Sequence, residues 1–114
     1  MIFEETEEYK KDLKRLLKKY RTLNEDIEIL KKVIEAEPEE HPPRSFTISG
    51  LGLQTITIKV KRIACRAMKG KGSNTGLRLI YAYEKSHDKI TLIELYHKNE
   101  KENEDKIRIK KYFK

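Results

Sequence analysis

Apolar positions change period along the chain, and the change divides it into three parts. Tyr9, Leu13, Leu16, Leu17 and Tyr20 recur at the spacing of one helix face, while Lys10, Lys11, Lys14, Lys18 and Arg21 lie largely off it. Thr6 is placed to cap this helix, and Glu7 and Glu8 in its first turn suit the positive end of the dipole. Met1 to Phe3, ahead of the cap, reads as a short edge strand. A second helix follows at once: Thr22 with Glu25 matches a capping box, Leu23, Ile27, Leu30 and Ile34 form its buried stripe, and Pro38 ends it. The two helices are expected to form an antiparallel hairpin.

Glu37 to Ser45, with Pro42 and Pro43, reads as the connector to a region of period two. From Thr55, Ile56, Ile58 and Val60 alternate with Thr57, Lys59 and Lys61, as in a strand with one face buried. Arg62 to Met68 either continues that strand or follows a bulge near Lys61. Lys69 to Gly76 is a glycine-rich turn into a central strand, Leu77 to Tyr83; Glu84 to Lys89 is the next turn, and Ile90 to Tyr96 returns antiparallel. Asn99 with Glu102 caps a predicted final helix carrying Ile107, Ile109 and Phe113. The expected fold is α+β in one domain over residues 1–114, a helix hairpin on a mainly antiparallel twisted sheet of three to five strands, with a loosely docked C-terminal helix.

Composition sharpens this picture chiefly through charge. The 114 residues have a net charge of +7, yet residues 1–41 hold nine Lys or Arg against twelve Asp or Glu, and no carboxylate occurs between Glu40 and Glu84. Seven cations fall in that gap from Lys59 onward: Lys59, Lys61, Arg62, Arg66, Lys69, Lys71 and Arg78. Such a cluster repels itself, which is best explained by a polyanionic partner such as RNA. The lysines of the hairpin have many acidic neighbours and read as a solvated face. The lone Cys65 excludes an internal disulfide and reads as a small core residue; with no signal peptide and no long apolar run, the chain is expected to be cytoplasmic.

Known phosphate and metal motifs are missing. Lys69-Gly-Lys-Gly lacks the Walker spacing and precedes a strand rather than a helix. His41, His87 and His97 have no ligand spacing, so no cofactor and no metal are expected. RNA cleavage without metal needs a group to deprotonate the 2′-hydroxyl, a cation for the phosphorane and an acid for the 5′-oxygen. Arg78, a forked guanidinium on the central strand, fits the second task; the alternative is an ion pair with Glu94. Tyr96, His97 and Lys98 end the last strand, where His97 is either an acid–base group or an exposed side chain and Tyr96 either contacts RNA or packs. Glu94 orients Arg78 or Arg66, or is a structural ion pair, or serves as the base.

The order of these segments resembles the RelE/ParE superfamily of toxins. Tyr9 to Tyr20 looks like that family's first helix, and Arg62 to Met68 with Gly70-Lys71-Gly72 looks like its basic strand and turn. Gly76-Leu-Arg-Leu-Ile-Tyr81 is similar to its central-strand segment, and Ile93 to Lys98 to its ending strand. The resemblance implies a toxin of a type II toxin–antitoxin system, a ribosome-dependent, metal-independent endoribonuclease that cuts messenger RNA. Arg78 would stabilise the transition state, Arg66 and Lys71 would hold the phosphate or promote deprotonation, and His97 or Lys98 would supply the acid or charge. Lys59, Lys61, Arg62, Lys69 and Tyr96 would contact RNA, with ribosomal RNA nearby. An antitoxin protein would cover the basic face and displace the segment from Asn99 to Lys114. Competing readings are a ParE-like inhibitor of DNA gyrase and an RNA-binding module without catalysis.

Overall fold

The strands run in the spatial order β1-β5-β4-β3-β2. In this computed structural model, which describes residues 1–113, they are β1 (Ile2–Glu5), β2 (Ser45–Thr47), β3 (Ile56–Val60), β4 (Leu77–Glu84) and β5 (Lys89–His97). Helices α1 (Glu7–Leu17) and α2 (Leu23–Ala36) precede β2, and α3 (Lys106–Tyr112) follows β5. Every neighbouring pair is antiparallel except β1 with β5, which is parallel. The α+β expectation holds, with a five-stranded mixed sheet.

Each face of the sheet has its own apolar cluster. Tyr9 and Leu16 of α1 and Leu23, Ile27, Leu30 and Ile34 of α2 meet Ile58, Val60, Leu79 and Leu95 on one face. The other face holds Ile80, Ala82, Ile93 and Tyr96, covered by Ile109 of α3 and Leu51 of the loop before β3. Alternation along β4 explains the division: odd residues from Leu77 to Tyr83 point to the helix hairpin, even ones to α3. Ile80 pairs with Glu94 and Tyr81 with Leu92, which leaves Ile93 as the extra residue of a bulge in β5.

Helix ends show where local signals and tertiary structure compete. Thr6 caps α1, its hydroxyl accepting from the Tyr9 N–H at 3.1 Å. Thr22 precedes α2 but forms no capping bond, so the expected capping box is corrected. Its hydroxyl instead donates to Asp26 at 2.7 Å and accepts from the Ala67 N–H at 2.9 Å, fastening the 62–70 loop to the start of α2. That loop is itself a correction, since Arg62 to Met68 neither continues β3 nor forms a bulged strand; only Ile63 makes a bridge, with Asn74. α3 begins later than expected, capped by Asp105, which accepts from the Arg108 N–H at 3.0 Å. It ends at Tyr112, with Phe113, expected within it, as its non-helical C-cap; Lys114 lies outside the described residues.

α3 is also more firmly docked than its ragged apolar pattern suggests. Ile109 is fully buried, whereas Ile107, expected on the same face, is 83% exposed. Polar anchors do the rest: Arg108 donates to Asp12 at 2.7 Å and to the Ile93 carbonyl at 3.0 Å. Cys65 is buried, and burial pushes its thiol pKa up, which suits a packing role. No helix among the described residues is long and apolar enough to cross a membrane.

Candidate functional site

The basic residues of the sheet meet at one end, where β4 begins and β5 ends. Gly76 has φ +83°, and a side chain there would put its Cβ 2.7 Å from His97 Nε2, so only glycine fits against the end of β5. The Lys98 N–H closes the corner on the Gly76 carbonyl at 2.8 Å. Beside it lies an open groove of about 320 Å³ whose walls include Phe46, Lys61, Arg62, Asn74, Arg78 and Lys98. Four cations and no carboxylate line this groove. Their mutual repulsion is unrelieved within it, an arrangement that favours an anion in the groove.

Arg78 is held in the groove by its backbone surroundings. Its Nη1 donates to the Lys61 carbonyl at 3.0 Å and the Leu77 carbonyl at 3.2 Å. Both acceptors are uncharged and only Nη1 is engaged among the described residues, so the guanidinium keeps its full charge and its remaining N–H groups for a ligand. The expected alternative, a pair with Glu94, is not formed. Glu94, 1% exposed, takes Lys101 and the Asp105 N–H instead, and so anchors the segment leading to α3.

A second cavity of about 500 Å³ adjoins the groove, with Lys98 and Asn74 lining both. Lys19, Tyr20, Lys71 and His97 contribute to its walls. Nδ1 of His97 accepts from the Asn99 N–H at 3.0 Å, which assigns the ring proton to Nε2, and Nε2 donates to the Thr75 carbonyl at 2.9 Å. The ring also stacks on Tyr20, with centroids 6.2 Å apart. Both nitrogens are therefore occupied, and the imidazole ties the turn before β4 to the turn after β5. His97 pairs with Leu77 and Arg78 with Tyr96 across the ladder, so His97 and Arg78 lie on opposite faces of the sheet. They are joined only around its end, through Lys98 and Asn74.

Other expected members of the site are placed elsewhere. Arg66 donates to Glu25 at 2.8 Å and Asp26 at 3.2 Å, which commits it to α2 rather than to the groove. Lys59, 12% exposed, pairs with Glu104 at 2.9 Å on the α3 face, so it is corrected from an RNA contact to a part-buried ion pair. Burial disfavours its ammonium, but Glu104 and Tyr96 together outweigh burial and raise its pKa. Tyr96 is likewise corrected: it is a core residue, and burial raises the pKa of its hydroxyl. Lys69 lines a shallow hollow with Arg66, apart from the groove. Lys61, Arg62, Lys71, Arg78, His97 and Lys98 thus cluster around the two cavities, and Arg66, Lys59, Lys69, Tyr96 and Glu94 do not.

Phe46 and Asn74 were not expected in the site. Phe46 belongs to β2, whose three residues are too few to show a period, although an aromatic beside Pro43 and Arg44 was a usable signal. Asn74 sits in the glycine-rich turn, where nothing distinguishes it from its polar neighbours.

No family model and no curated protein matches this chain. Among solved structures, a chain from Helicobacter pylori described as a metal-bound toxin superposes with a TM-score of 0.51 and 22% identity, over 88% of this chain and 97% of that one. The likeness is one of fold. Among the described residues no three His, Cys, Asp or Glu side chains converge as metal ligands would.

Proposed function

We propose that this chain is the toxin of a toxin–antitoxin pair and that it cleaves messenger RNA held on the ribosome. The observation that carries the reading is the groove lined by Lys61, Arg62, Arg78 and Lys98 with no carboxylate among them. The fold shared with a protein described as a toxin, and the Gly76 to Tyr81 and Ile93 to Lys98 segments, support it further.

The chemistry follows from what a phosphodiester requires. The 2′-oxygen attacks phosphorus, the bond to the 5′-oxygen breaks, and the products are a 2′,3′-cyclic phosphate and a 5′-hydroxyl. Arg78 donates to the non-bridging oxygens, where its rigid fork meets the charge that builds in the phosphorane. Lys61 and Arg62 hold the flanking backbone. Lys98, common to both cavities, gives its proton to the departing 5′-oxygen. Lys71, in the adjoining cavity, stabilises the 2′-oxyanion as the 2′-hydroxyl proton passes to solvent water. His97 takes that proton only if Nδ1 first gives up the Asn99 N–H; otherwise its role is to fix the end of β5.

That engagement of His97, with Arg66 in ion pairs, favours one second reading, an RNA-binding module that does not cut. A translating extract separates the readings. Addition of purified protein should produce messages cut within the decoding site, and Arg78→Ala should lower the cutting rate at least a hundredfold, in line with loss of a transition-state donor. Salt-sensitive RNA binding with every message intact would replace the nuclease by the non-catalytic module. Intact messages with inhibited DNA gyrase would overturn the RNA reading.

A further inference from the structure

An exposed aromatic ring stands at the rim of the cationic groove without belonging to the core. Phe46 lies on β2, the edge strand, is 36% exposed, and is absent from both apolar clusters. It shares the groove with Lys61, Arg62 and Arg78, and Lys61 Nζ rests over its ring, 5.3 Å from the centroid. The exposed part of the ring gains the fold little beyond this weak contact with Lys61. It gains if a partner supplies both a planar face and negative charge.

We propose that Phe46 is a stacking platform for a nucleobase next to the phosphate held by Arg78, so that the groove selects single-stranded RNA. The inference rests on the RNA reading above and adds to it the state of the substrate. A base in a duplex already has its faces covered by neighbours, whereas an unpaired base is free to lie on an aromatic side chain, and every base has such a face. Lys61 makes the arrangement self-consistent. A cation over an exposed ring is weakly held, so an incoming phosphate draws the ammonium away and uncovers the ring as the base arrives. Recognition of this kind tolerates any base, so Phe46 contributes affinity for unpaired strands rather than for one sequence.

The chain contains no tryptophan, so Phe46→Trp creates a single reporter at the platform. Its emission should be quenched saturably by a short 2′-O-methyl RNA, which cannot be cleaved, and scarcely by the same sequence as a duplex. Phe46→Ala should weaken binding of the single strand by about tenfold, from the usual worth of one stacked base. Its salt dependence should match that of the wild type, whereas Lys61→Ala should lower the slope by about 0.7, one phosphate contact. If the wild type binds the strand and Arg78→Ala does not, while Phe46→Ala binds normally and the emission of Phe46→Trp is unquenched, the platform is wrong and the RNA reading stands. Emission that changes only on adding a protein partner would also overturn the platform. If the wild type binds no RNA at all, both fall.

Discussion

At the scale of single residues, the site depends on small groups that let large ones meet. Gly76 is the plainest instance, since its φ of +83° is unfavourable for any side chain and its missing Cβ makes room for His97 and Lys98. Gly72, with φ +58° in the same turn, has open space around it. Gly72→Ala should therefore cost roughly 1–2 kcal/mol, the conformational penalty alone. Gly76→Ala should cost clearly more, because the His97 ring, hydrogen-bonded through both nitrogens, must shift as well, and urea unfolding of the two variants checks the difference. Equal losses would mean that the Gly76 contact is not structural. Arg78 was recognisable from sequence because a guanidinium on a central strand has few structural uses. Lys59 looked no different from Lys61 as a letter; only the register, which turns Lys59 toward Glu104 and leaves Lys61 at the strand end, separates a part-buried pair from a groove cation. Arg66 failed for a similar reason, as its partners Glu25 and Asp26 are forty residues away in sequence and belong to a helix whose capping box looked self-sufficient.

At the scale of elements, α1 and α2 were legible because each is long enough to display its period and buries that stripe, and β4 and β5 because β-branched and aromatic residues run through strands buried on both faces. β2 and the 62–70 loop were not, being respectively too short and fixed by tertiary bonds from Thr22 and Asp26. α3 was half legible: its existence could be read, its attachment could not, because it is held by carboxylates distributed over the chain. Glu8 accepts from Tyr112 and Lys111, and these hydrogen bonds hold its pKa below the ordinary 4.5. Partial burial works against ionised Glu104 and Glu100, but Lys59 for the first, and Arg15 with the His97 N–H for the second, outweigh it and keep both low. A carboxyl whose folded pKa is depressed stabilises the fold above its unfolded value and loses that contribution as pH falls through the folded one. All three groups tie residues 100–112 to the body, so acidification below about pH 4.5 should loosen α3 before the hairpin face. Amide exchange should then quicken at Ile109 while Leu30 stays protected; equal acceleration at both would argue against a separately anchored C-terminal segment.

For the whole molecule, the decisive property is how the sheet sorts charge between its ends. Lys61, Arg62, Arg78 and Lys98 gather where β4 starts, while Glu4, Glu5, Glu7 and Glu84 surround another groove along β1 with one cation, Lys89, between Glu4 and Glu84. The charge gap between Glu40 and Glu84 foretold a basic surface, but not that its cations would divide between a groove, an ion pair with α2 and a pair under α3. The molecule that results presents a cationic end, which should orient a polyanion before any specific contact forms. Titration of isotope-labelled protein with a short 2′-O-methyl RNA, followed by amide NMR, tests this most directly. The amides of Lys61, Arg62, Asn74, Gly76, Arg78 and Lys98 should shift together, and those of Glu4, Glu7 and Glu84 should stay in place. Shifts confined to the helix hairpin or to α3, with the groove silent, would contradict the account.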